Sequence, residues 1–155
     1  MNYSRRDLSL LLGVLAAGTV DGAAQNPPST PKAPAAPLTV LPSKVYRFED
    51  LAVRANPNGA TKGRAVMHGT THNGFSVEVH ITELQPGMMP HPPHHHVHEE
   101  IIMLKEGTVE VMCNGVTTKM GPGSVSYNGS NEEHSLKNVG TTPATYFVVE
   151  LRENT

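Results

Sequence analysis

The sequence predicts an all-β fold, a sandwich or barrel of short antiparallel strands, on three observations. Apolar and polar residues alternate one by one through the second half of the chain, the period of a half-buried strand. An Asn114-Gly115 dipeptide stands between two apolar-rich runs, and both residues tolerate the positive φ that a two-residue hairpin requires. Gly, Pro and Asn clusters punctuate the chain at short intervals, with no amphipathic helix and no internal repeat between them, as in small sandwiches and barrels.

Ahead of this pattern the chain opens MNYSRRDLSLLLGVLAAGTVDGAA, residues 1–24. A charged start with Arg5 and Arg6, an apolar run and then small residues is the order of an export signal, with cleavage after Ala24 on the Gly22-x-Ala24 pattern. A membrane anchor needs roughly 20 apolar residues. The run here, residues 8–20, has 13 and is interrupted by Ser9, Gly13 and Gly18. Ser4-Arg5-Arg6-Asp7-Leu8 resembles the bacterial twin-arginine signal, with Leu8 where Phe is commonest. The expected location is periplasmic or secreted, with no stable membrane insertion after cleavage. Residues 25–43 follow as a linker: QNPPSTPKAPAAPLTVLP holds six prolines and no apolar periodicity, so it reads as a semi-extended tether. The folded domain is expected over residues 44–152, an ordinary size for one core.

Within it, Phe75, Val77, Val79 and Ile81 alternate with Ser76, Glu78, His80 and Thr82. Val109, Val111 and Cys113 alternate with Thr108, Glu110 and Met112, and residues 116–120 return antiparallel after Asn114-Gly115. Residues 99–105, 124–127, 134–138 and 144–151 supply further short strands, separated by turns such as Gly121-Pro122-Gly123.

Composition narrows the partners. Removing residues 1–24 takes away Arg5, Arg6, Asp7 and Asp21, two of each sign, so the net charge stays at −2. With no basic run, nucleic acid and anionic membrane surfaces are poor partners. The single cysteine, Cys113, cannot form an intramolecular disulfide, and its strand context reads as a small buried apolar side chain.

Chemistry concentrates in residues 91–100, HPPHHHVHEE, which hold five of the nine histidines. In extended chain His94, His96 and Glu100 share one face, and two imidazoles with a carboxylate on one face can bind a divalent metal. His98 has the same parity and is excluded only if the chain bulges between His96 and Glu100. A solvated histidine-rich loop is the bland alternative. His91, His95 and His98 read as rim or solvent residues rather than ligands, His68 and His72 as surface residues near a turn, and His80 as facing either an interior or water. Tyr127, Glu133 and Met103 are weaker candidates for a pocket wall. Arg47, Arg54, Arg64 and Arg152 are the arginines left after residue 24, any of which grips a carboxylate if it points inward.

These residues resemble the cupin superfamily. Its first motif is matched by Gly87, His94-His95-His96, Glu100 and Gly107, the spacer after Gly87 being one residue longer than usual. Its second is matched by Gly121-Pro122-Gly123-Ser124 and by His134-Ser135-Leu136-Lys137-Asn138, with Asn128-Gly129-Ser130-Asn131 in place of the usual Pro-x-Gly before the histidine. The likeness extends over most of residues 63–151. It implies a single antiparallel jelly-roll β-barrel holding a metal at His94, His96, Glu100 and His134, and a homodimer. Nitrogen and oxygen ligands suit Mn, Fe, Co, Ni, Cu or Zn. Open coordination positions suit a small-molecule substrate. Three readings follow: a metal-dependent oxygenase or other oxidoreductase, a non-redox isomerase or lyase on sugar-like substrates, or a binding module without turnover.

Overall fold

The computed structural model describes residues 38–152. The export signal and most of the linker lie outside the described residues. Among the described residues nine strands form: β1 (Arg54–Ala55), β2 (Thr61–Thr70), β3 (Ser76–Leu84), β4 (Glu99–Glu106), β5 (Val109–Cys113), β6 (Val116–Met120), β7 (Val125–Asn128), β8 (His134–Asn138) and β9 (Ala144–Arg152). A 3-10 turn over Phe48–Asp50 is the one helical element among the described residues. No helix there is long and apolar enough to cross a membrane.

Six strands make one sheet in the order β1-β2-β3-β9-β4-β7, and β6-β5-β8 make the second. Every pairing between named strands is antiparallel. The all-β expectation holds. Asn114 and Gly115 turn at φ 48° and 80° between β5 and β6, the two positive values that a type I′ hairpin needs.

The hydrophobic core fills the space between the sheets with Leu84, Ile102, Leu104, Val109, Val111, Met120, Leu136, Ala144, Tyr146 and Val148. Leu84 and Val109 are completely buried, each contributing about 1.5–3 kcal/mol relative to an exposed side chain. Asn138, also completely buried, clasps the closed end: its amide donates to Leu84 O and Thr142 O and accepts from Gly140 N–H, each at 2.9 Å. Gly107 lies beside this end at φ 90°, and a Cβ there would come within 2.7 Å of Ala144 Cα.

Strand register sorts the inward side chains into rows. Thr82, Tyr146 and Leu104 align across β3, β9 and β4; His80, Val148 and Ile102 form the next row; Glu78, Glu150 and Glu100 the next. Strand β7 extends the last with Asn128 opposite Glu100. An apolar floor therefore gives way to a polar row at one end of the barrel. The outward face carries two other rows, Val79-Val149-Ile101-Tyr127 and Ile81-Phe147-Met103-Val125. Val79 and Ile81 are buried, whereas Met103, Val125 and Tyr127 are exposed.

Three local expectations change. Strand β2 was not anticipated, and His68 lies within it rather than near a turn, although it is exposed. Phe75 is 61% exposed, because its carbonyl and amide close the turn onto Thr71 before β3 begins. Thr39 and Leu41, within the anticipated linker, hydrogen-bond to Thr70.

Candidate metal centre

The histidine-rich segment crosses from one sheet to the other. His94 bridges His134 on β8, the two exchanging both backbone hydrogen bonds, His94 N to His134 O at 3.1 Å and His134 N to His94 O at 2.9 Å. Bends at Val97 and His98 follow, and Glu100 is already part of β4 in the larger sheet. His94 and His134 therefore stand on one wall and Glu100 on the other, with His96 between them.

All four anticipated residues converge. Ligand atoms of His94, His96 and His134 lie within 4.8 Å of one another. Glu100 Oε1 is 3.8 Å from His134 Nε2, and its Oε2 is 4.0 Å from His96 Nε2. Two ligands of one ion with bonds near 2.1 Å can stand up to about 4.2 Å apart, so the group needs little contraction to close around a cation.

Backbone carbonyls fix the tautomers. His94 Nδ1 faces Pro92 O at 3.0 Å, His96 Nδ1 faces His98 O at 2.7 Å and His134 Nδ1 faces Glu132 O at 2.8 Å. A carbonyl only accepts, so each Nδ1 carries the hydrogen and each Nε2 keeps its lone pair. Nε2 of both His96 and His134 is buried with no hydrogen-bond partner, a costly state for a polar atom. Bare lone pairs beside a carboxylate are what a divalent cation satisfies, so the residues present fit a metal ion.

Outside the four, three residues shape the centre. Asn128, 1% exposed, donates from Nδ2 to Glu100 Oε1 at 3.0 Å and accepts from the Cys113 thiol at 3.2 Å. Cys113 packs against the core but is half-buried rather than fully buried, and burial pushes its thiol up from the ordinary value. His98 is turned by the bend so that its ring stacks on His96, with centroids 3.5 Å apart, and its Nε2 lies 3.3 Å from Glu150 Oε2. The ligand atom of His98 also groups with those of His96 and Glu100. Unlike Nε2 of His96 and His134, however, that of His98 already has a carboxylate partner. Burial pushes His98 below its ordinary value, against the pull of Glu150. Burial opposes ionisation of Glu150, but the Arg152 hydrogen bond and His98 outweigh it and hold the carboxyl below the usual range.

The centre opens on a cavity of about 300 Å³. Its polar side includes His80, His91, Glu150, Thr61 and Thr82, and its apolar side Ile102, Leu136, Tyr146 and Val148. His80 thus faces the interior, a question its strand parity left open. His95 is exposed. Tyr127, Glu133 and Met103 are exposed and line no part of the cavity. Nor do the arginines: Arg64 donates to Leu51 O, Arg47 pairs with Glu49, Arg54 is exposed, and Arg152 holds Glu150 from the rim.

Two curved antiparallel sheets around a polar mouth and an apolar floor define a jelly-roll barrel able to hold a metal. Residues 80–150 match the family model described as the cupin domain. Solved structures share the fold: KdgF from Halomonas sp. is similar at TM-score 0.61 and 14% identity, over 73% of this chain and 97% of that one. A sugar phosphate isomerase from the cupin superfamily, from Silicibacter pomeroyi, is similar at TM-score 0.58 and 18% identity, over 70% and 76%. A protein described as a predicted oxalate decarboxylase from Thermotoga maritima is similar at TM-score 0.57 and 22% identity, over 70% and 98%. Among curated proteins none matches the chain's sequence. The domain match and the structural likenesses together support the cupin superfamily.

Proposed function

We propose that this cupin is a metal-dependent small-molecule enzyme of the oxygenase or oxidoreductase type, with one divalent transition-metal ion held by His94, His96, Glu100 and His134. The observation that carries the reading is the pair of buried, partnerless Nε2 atoms on His96 and His134, each presented by a carbonyl-held Nδ1. Four protein ligands would leave a five- or six-coordinate ion one or two positions for substrate, where it would supply Lewis-acid or redox chemistry. The chain's own residues do the rest. Carbonyl contacts orient the imidazoles, Asn128 fixes the Glu100 carboxylate, and Ile102, Leu136 and Val148 give the cavity a water-poor floor.

Glu150 favours a second reading. A second carboxylate in the same cavity can accept a proton, as isomerisation or elimination on a sugar-like substrate requires. The likeness to a sugar phosphate isomerase agrees with it, as that to a predicted oxalate decarboxylase agrees with chemistry on a small acid.

The chain is further proposed to be exported to the periplasm by its twin-arginine-like signal, with residues 1–24 removed and residues 25–43 tethering the domain of residues 44–152. Export after folding would let Mn or Fe be taken up in the cytoplasm and kept, whereas in the periplasm the affinity order would favour Cu or Zn. The outward rows ending in exposed Met103, Val125 and Tyr127 are proposed to pack on a second copy as a homodimer. Elemental analysis of the as-isolated protein, followed by oxygen uptake across a panel of small metabolites, tests the enzyme reading. One ion per chain with oxygen consumption and a defined product supports it. A His134→Ala protein that folds and keeps the same metal content refutes the site.

A further inference from the structure

The cavity's charge is unusual for a small-molecule site. Among its lining residues there is no Lys and no Arg, while two carboxylates, Glu100 and Glu150, face it. Glu100 belongs to the proposed metal ligands, which leaves Glu150 to meet whatever enters. Its side chain is 13% exposed. Both of its contacts fall on one oxygen: Arg152 Nη2 donates to Oε2 at 2.6 Å, and His98 Nε2 lies 3.3 Å from the same atom. Oε1 takes no hydrogen bond from the described residues.

Glu150 is therefore a carboxylate whose charge is already answered by Arg152, yet which keeps an acceptor oxygen. An anionic ligand finds no cationic side chain in this wall and a carboxylate oxygen in its way. A cationic ligand must compete with the guanidinium at the rim, which Glu150 holds at 2.6 Å and which also lies 3.9 Å from Glu78. A hydroxyl group suits the position: it brings a donor without a charge to desolvate. Register sets the distance to the centre. Glu150 lies directly across from Glu100 on the neighbouring strand, an offset of about 5 Å. The two side chains therefore project side by side on one face of the sheet, so a ligand that meets both the centre and Glu150 does so through neighbouring groups. Thr61 and Thr82 add hydroxyls and His80 an imidazole on the same side, and the floor is apolar.

We propose that the cavity takes an uncharged ligand bearing adjacent hydroxyl groups, a diol or enediol, and that Glu150 is the side chain that selects it. This deepens the metal-dependent reading above and rests on it for the ion but not for the preference.

The test is a calorimetric titration of zinc-loaded protein under argon with three ligands on one ring: catechol, the dianion phthalate and the dication of 1,2-bis(aminomethyl)benzene. Catechol is expected to bind at least about tenfold tighter than either charged analogue, and Glu150→Gln to weaken catechol by roughly tenfold to a hundredfold, the range for a hydrogen bond to a charged acceptor. Phthalate should bind the variant no more weakly than it binds the wild type, since Arg152 is then released. Either charged analogue matching catechol on the wild type overturns the proposal, and that comparison needs no variant. So does an unchanged catechol affinity in Glu150→Gln, or an equal loss for all three ligands. Zinc content is measured on the same samples. Protein that takes up no zinc yet still prefers catechol through Glu150 refutes the metal reading and sustains this one.

Discussion

Asn128 offers the sharpest probe of the centre, because it touches the proposed ligands only through Glu100. Its amide donates to Glu100 Oε1 at 3.0 Å from a position 1% exposed to solvent. Asn128→Leu keeps the volume and removes the donor. A hydrogen bond to a charged acceptor is worth about 1.5–3 kcal/mol, which as a full loss would weaken metal binding roughly 10- to 100-fold. The same bond disappears from the metal-free protein, however, so only its part in orienting the carboxylate counts. That places the expected loss at the low end of the range for residues that hold a metal ligand, about tenfold. Asn128→Asp runs the other way. A second carboxylate directly opposite Glu100 in the β4–β7 register repels it in the metal-free protein and is relieved by a cation, so the melting temperature of the stripped protein falls while zinc affinity holds or rises. Competition with a chromogenic chelator reads the affinities, and thermal melting of stripped protein reads the rest. Zinc affinity within about twofold of wild type for Asn128→Leu, against the tenfold expected, would refute the reasoning. So would both variants shifting affinity in the same direction.

Two further outcomes are expected. Asn138→Ala removes three buried hydrogen bonds at the closed end, worth about 3 kcal/mol together, and should lower the melting temperature by roughly 10 °C or more while metal stoichiometry below the transition is unchanged; a shift under about 3 °C would show that the clasp is not holding the barrel. Tyr127→Asp, in the outward apolar face at 56% exposure, should convert a dimer into a monomer by light scattering and leave metal content intact; a wild-type protein already monomeric at micromolar concentration contradicts the proposed second copy.

Strands β3 to β9 were largely legible because single-residue alternation and the Asn114-Gly115 turn are local signals. Strand β2 was not: Gly63 and Gly69 interrupt its side-chain pattern, and a bulge between Ala65 and Met67 shifts its parity midway. His80 was ambiguous for a related reason. On β3, residues of both parities are buried, Ser76 and Thr82 as well as Val77, Val79 and Ile81, so alternation marks a strand without saying which face is the interior. At the centre, His94, His96 and Glu100 could be read from spacing, since two and four residues in extended chain return to one face, and His134 came from the resemblance in the second motif. Asn128 and Glu150 had no such signal. They meet Glu100 only through the registers of β7 and β9, and nothing in their own neighbourhoods encodes that pairing. The stack of His98 on His96 depends on a bend that parity could only pose as a condition.

The paired backbone bonds between His94 and His134 have a mechanical consequence. They sit at the seam where the chain leaves the smaller sheet for the larger, so an ion lodged against those two rings and Glu100 would act as a rivet through both layers. Losing that ion and parting the seam would then be one event. Amide exchange at positions 94 and 134 would slow together on metal loading, while exchange around the Asn138 clasp at the far end would hardly change.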